Sequence, residues 1–85
     1  MSDGVRHNED DHQFELPVDG GLAFVTYHRH GDRITFIHTE VPQQAEGKGV
    51  AAKVVSAALD FARRQKLQVI AECAYVASYL RKHPQ

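Results

Sequence analysis

"QQAEGKGVAAKVVSAALDFARRQKLQVIAEC", residues 43–73, runs from a glycine-bearing loop through an amphipathic segment into a short β-rich one. Val50, Val54, Ala57, Ala58 and Phe61 recur at helical spacing with Lys53, Ser56, Asp60, Arg63 and Arg64 between them, so a helix with one buried face is expected. Leu67–Cys73, centred on Val69, Ile70 and Ala71, reads as a strand. If a strand also precedes residue 43, the helix is a crossover, and the two strands it joins should lie parallel with a right-handed connection.

A strand does precede it by composition. Leu22–His30 and Ile34–Val41 are rich in aromatic and β-branched residues and flank the turn residues His30-Gly31-Asp32-Arg33, which predicts an antiparallel hairpin. Pro42 lacks the donor that a ladder requires and ends the second strand. Phe14, Leu16 and Val18 alternate before Asp19-Gly20-Gly21 and read as a short edge strand. Met1–Gln13 is dominated by charged, histidine and amide side chains, with only Met1 and Val5 apolar, and is expected to be a flexible tail. Ala74–His83 reads as a second helix with Val76, Tyr79 and Leu80 on one side, stopped by Pro84. The expected architecture is α+β, in the order β-β-β-α-β-α: a mixed sheet holding an antiparallel hairpin and one parallel βαβ unit. It forms one domain, residues 14–85, after a tail of residues 1–13, with no internal repeat.

Composition narrows the partners. Eighty-five residues leave room for one small domain, and a formal net charge of −1 offers no clustered basic surface for nucleic acid or an anionic membrane. The longest apolar-leaning run, Val50–Ala62, is broken by Lys53, Ser56 and Asp60, and the N-terminus has no basic-then-apolar leader pattern, so a cytoplasmic protein is expected. The single cysteine, Cys73, cannot form an internal disulfide and suits a reducing compartment.

Function must then come from the loop. Glycine inside a helix costs about 1 kcal/mol against alanine, yet Gly47 and Gly49 stand where the helix begins. A helix N-terminus presents unpartnered amides and partial positive charge, and glycine lets a phosphate approach that backbone. Gly47-Lys48-Gly49-Val50-Ala51-Ala52 matches the dinucleotide fingerprint G-x-G-x-x-A, with Glu72 near the place of a ribose-binding acid. Against that reading, Pro42–Glu46 separates the strand from the first glycine, that strand belongs to a hairpin, and the chain has only one βαβ unit.

Gln44-Ala45-Glu46-Gly47-Lys48-Gly49 also reads as Q-x-x-G-x-G, which resembles the pyrophosphate-binding signature of the GNAT N-acetyltransferases. The likeness continues through the C-terminal segment Cys73-Ala74-Tyr75-Val76…His83-Pro84, similar to small single-domain GNAT-like proteins. The resemblance implies a minimal acyl-CoA N-acyltransferase fold with acetyl-CoA (coenzyme A) as cofactor. Gln44, Glu46, Gly47, Lys48, Gly49, Val50 and Ala51 would hold the pyrophosphate, Lys53 and Lys48 would meet the adenosine phosphates, and Ile37, Thr39 and Val41 would line the pantetheine arm. The thioester would reach the region between Phe36–Thr39 and Cys73. In the closest register with larger members, Cys73 replaces a frequent asparagine and Leu80 the general-acid tyrosine, which leaves Tyr79 one residue away. The N-terminal region that usually shapes the acceptor pocket is missing as well.

Candidate catalytic residues follow from chemistry and position. Cys73, at a strand end and before a helix, is either a thiolate nucleophile, a cofactor contact or a small core residue. His38, alone or with Glu40, is a candidate relay for the amine proton, with Tyr79 as the acid. His28, His30 and His38 lack a fourth suitable ligand, and no metal site is expected. Two functions stay open: an acetyl-CoA-dependent N-acetyltransferase acting on a small amine or an exposed lysine, and a non-catalytic CoA-binding or regulatory module.

Overall fold

In a computed structural model, which describes residues 4–84, the strands form one five-stranded sheet in sequence order. β1 (Arg6–Asn8), β2 (Gln13–Val18), β3 (Gly21–His30) and β4 (Arg33–Glu40) are successively antiparallel. α1 (Val50–Arg64) crosses over, β5 (Gln68–Ala71) returns parallel to β4, and α2 (Ala74–Lys82) follows. The mixed sheet, the hairpin and the parallel unit are those expected from the sequence. Among the described residues no helix is long and apolar enough to cross a membrane.

Side chains alternate across a strand, so one set of each strand can be buried together. Phe14, Ala23, Val25, Tyr27, Ile34 and Phe36 share a buried cluster with Val54, Val55, Ala58 and Ala62 of α1, and Val76 of α2 joins it. At roughly 25 cal/mol per Å² of apolar surface removed from water, this one-sided layer is the main stabilising term.

The N-terminal segment departs from the expected flexible tail. β1 pairs with β2 in the register Arg6↔Glu15, His7↔Phe14, Asn8↔Gln13, so β2 is an interior strand. Val5 is buried, the His7 ring stacks on Phe14 with centroids 4.2 Å apart, and Arg6 reaches the buried Glu15 carboxylate at 2.9 Å. Asn8 and Gln13 also donate to that carboxylate, and the Tyr27 N–H donates to the His12 carbonyl. Composition averaged over thirteen residues misses this because the segment docks through a few specific partners that lie far along the chain. Residues 1–3 of the expected tail fall outside the described residues.

One irregularity shapes the site. Thr26 pairs with His38 but Tyr27 pairs with Phe36, which leaves Ile37 as an extra residue on β4. A bulge of one residue reverses the alternation beyond it. Ile34 and Phe36 face α1 before the bulge, and Thr39 and Val41 face the helix side after it. His38 is thereby turned to the opposite face, where its ring lies 6.4 Å from that of Phe24.

Candidate functional site

Beyond Pro42 the chain makes a single 3-10 turn over Gln43–Ala45, with the Ala45 amide bonded to the Pro42 carbonyl at 2.9 Å and the Ala45 side chain buried. Gly47 and Gly49 then adopt φ of +82° and +74°, values that favour glycine, and a Cβ on either would meet nothing within 4 Å. Gly49 is the N-cap of α1 and provides no side-chain cap, and no acidic residue stands in the first turn. The leading amides of α1 thus border open space, with no carboxylate from the helix's own first turn at the positive end of its dipole.

A cleft of about 380 Å³ opens between this loop and the end of β4. Of the residues expected to bind a cofactor, Thr39, Val41, Glu46, Gly47, Gly49, Val50 and Ala51 line it. Ala45, Ala52 and Tyr75 line it too, and the sequence reading had not assigned them to it. Tyr75 comes to the cleft because its neighbour Val76 is anchored in the core, which fixes the phase of α2.

Gln44, Lys48, Lys53 and Ile37 are not among the lining residues. The Gln44 side chain leans on Gly20 in the turn between β2 and β3, and Lys48 Nζ lies 3.9 Å from Asp19 Oδ2 in the same turn. Lys53 and Ile37 are exposed.

The reactive end is defined by where two strands part. The β4–β5 ladder ends at Phe36↔Ala71, while β4 stays paired with β3 as far as Glu40. The Phe36 carbonyl takes the N–H groups of both Glu72 and Cys73, at 2.9 and 3.1 Å, and closes the ladder. Cys73 then caps α2, buried behind Thr39, with Sγ 3.2 Å from Thr39 Oγ1. Burial pushes this thiol up. The Thr39 hydroxyl and the amides of Val76, Tyr75 and Thr39 favour the thiolate and outweigh burial, which leaves the thiol below its ordinary value.

The other candidate catalytic groups lie elsewhere. His38 Nε2 and Glu40 Oε2 pair at 3.1 Å on the face away from the cleft, both well exposed. Tyr79 does not line the cleft, and its ring stacks on His83 with centroids 4.3 Å apart. Tyr75 is the phenol that borders the cleft; burial, and then the neighbouring Tyr79, push it above the ordinary tyrosine value. Among the described residues no group of three or more His, Cys, Asp or Glu side chains could hold a metal ion.

A family model described as GCN5-related N-acetyl-transferase matches residues 13–85. The chain belongs to that family. Among similar proteins, protein NATD1 of Mus musculus and of Homo sapiens are each 34% identical over 83 residues. The match covers 94% of this chain and 76% and 74% of those proteins respectively. The NMR solution structure of a GCN5-like protein from Staphylococcus aureus superposes with a TM-score of 0.72 at 29% identity, covering 96% of this chain and 82% of that one.

The match of this GCN5-related N-acetyltransferase chain spans the Q-x-x-G-x-G segment, residues 44–49. The arrangement can receive an anion at the uncapped helix and a long apolar group along Thr39 and Val41. Next to that path it holds a hydroxyl–thiol pair and a neutral phenol.

Proposed function

We propose that the protein binds acetyl-CoA in the cleft between β4 and α1 and transfers the acetyl group to an amine, either a small amine or an exposed lysine. The uncapped start of α1 carries this reading: two glycines with positive φ, open space above both, and no carboxylate in the first turn suit phosphate oxygens. The parting of β4 from β5 after Phe36 leaves a slot suited to an extended arm ending near Cys73. Bound acetyl-CoA would supply a thioester carbonyl and a thiolate leaving group.

The chain's own groups divide by face. Thr39 and Val41 line the slot, and Tyr75 at its edge serves as the proton donor. The paired His38 and Glu40 lie on the opposite face, away from the cleft, and take no part in deprotonating the amine in this reading. Cys73 is buried beside Thr39, on the helix side. We infer a cytoplasmic setting, in which the single thiol stays reduced.

Calorimetric titration with CoA, followed by assay of free thiol release from acetyl-CoA with a panel of amines and lysine peptides, tests the reading. Saturable binding with turnover supports it, and absence of binding overturns it. The stacking of Tyr79 on His83, away from the cleft, favours a second reading, a CoA-binding module without turnover. Binding with no thiol release across the panel would establish that one instead.

A further inference from the structure

We infer that Thr39 is the positioning residue for Cys73, fixing its sulfur directly behind the cleft wall through a hydroxyl hydrogen bond. Three observations converge on it. The bulge at Ile37 is what turns Thr39 toward the helix side, since unbroken alternation from Phe36 would have turned His38 there. The ladder between β4 and β5 stops at Phe36, so beyond it Thr39 has no pairing partner on β5 and meets the cap of α2. Thr39 Oγ1 then lies 3.2 Å from Sγ, and the same residue lines the cleft.

The groups around the sulfur can each donate a hydrogen bond to a thiolate. On β4, His38 and Glu40 are well exposed and paired with each other, His38 on the opposite face. At the start of α1, Val50, Ala51 and Ala52 carry no charge, on the first two turns of α2 the ionisable side chains are the phenols of Tyr75 and Tyr79, and Glu72 is exposed. The thiolate therefore depends on the Thr39 hydroxyl together with the amides of Val76, Tyr75 and Thr39. Removing the hydroxyl leaves burial less opposed and favours the neutral thiol.

The experiment is a titration of thiolate ultraviolet absorbance in ligand-free protein, with Cys73→Ala as the blank, for wild type, Thr39→Val and Thr39→Ser. Valine suits a strand and keeps the amide, so the fold is expected to survive, which circular dichroism checks. The expected result is a midpoint moved to higher pH in Thr39→Val, with a several-fold loss of thiolate at the wild-type midpoint, and a wild-type midpoint in Thr39→Ser. A Thr39→Val curve superimposable on wild type overturns the inference, as does a Thr39→Ser curve that matches Thr39→Val. The use of Cys73 in the cleft rests on the acetyl-CoA reading. The titration contains no ligand, so a failure of CoA binding and a failure of this inference are separate results.

Discussion

The side chain of Gln44 occupies the space that a methyl group on Gly20 would need. Gln44 opens the glycine loop and Gly20 sits in the turn between β2 and β3, so two turns distant in sequence brace each other beside the cleft. Gly20 also has φ of +89°, where any other residue is strained. Gly20→Ala should cost about 1–2 kcal/mol from the backbone alone, with a further loss as Gln44 is displaced. Gly31→Ala isolates the first effect, because Gly31 has φ of +58° and nothing within 4 Å of its would-be Cβ. Thermal melts should show a larger fall for Gly20→Ala, and CoA affinity should fall in that variant alone. Equal melts and equal affinities would remove the bracing role.

At Gly47 and Gly49 an added methyl finds open space, so substitution strains the backbone without a clash. Gly47→Ala and Gly49→Ala should lose about 1–2 kcal/mol each, remain folded, and bind CoA much more weakly, since the methyl enters the space above the leading amides of α1. Calorimetry beside Gly31→Ala separates a loss of site from a loss of stability: the strain is similar in kind, but Gly31 is far from the cleft lining.

The two tyrosines of α2 should behave differently. Tyr75 borders the cleft, whereas Tyr79 stacks on His83 and packs against the core. If a phenol protonates the leaving sulfur, Tyr75→Phe lowers the turnover number with little change in CoA affinity, and Tyr79→Phe leaves turnover near wild type. The reverse pattern would restore to Tyr79 the acid role, one residue from the family position at Leu80. Steady-state kinetics with whichever amine proves active decides between them.

Much of this geometry could be read from residue patterns. The apolar spacing of Val50, Val54, Ala57 and Ala58 specified α1, and the turn chemistry around Gly31 specified the hairpin. The glycine loop lies where its motif and the following helix imply. What escaped was whatever depends on one residue more or less in a ladder. Nothing local in Thr35-Phe36-Ile37-His38-Thr39 marks Ile37 as the bulge, yet it decides that Thr39 faces Cys73 and that His38 and Glu40 face away. The motif alone places Gln44 by the phosphates, whereas its direction is set by a turn more than twenty residues earlier. β1 was hidden for a related reason. His7, Arg6 and Asn8 are polar by type, and they become structural only against Phe14, Tyr27 and Glu15.

His7 carries the last prediction. Its ring stacks on Phe14 at 4.2 Å, meets the edge of Phe61 at 4.6 Å, and its Nε2 lies 2.6 Å from Tyr27 Oη. Burial lowers its affinity for a proton, opposed by Glu9 and assisted by Arg29, so it sits below the ordinary 6.5 in the folded state. The unfolded chain therefore binds a proton at higher pH than the folded one. The stability contributed by neutral His7 is complete above 6.5 and is lost as pH falls through the lowered folded value. Thermal melts from about pH 7.5 down to about pH 5 span the ordinary histidine range, and wild type should lose stability across it. His7→Phe keeps an aromatic ring against Phe14 and removes the titration. It should lose about 1 kcal/mol at neutral pH with the Tyr27 hydrogen bond, and flatten the decline on acidification. Hydrogen exchange should locate the wild-type opening at β1, with the amides of Arg6–Asn8 exchanging faster at the acid end while those of β3 hold. An acid decline of the same slope in His7→Phe would move the pH dependence to another group.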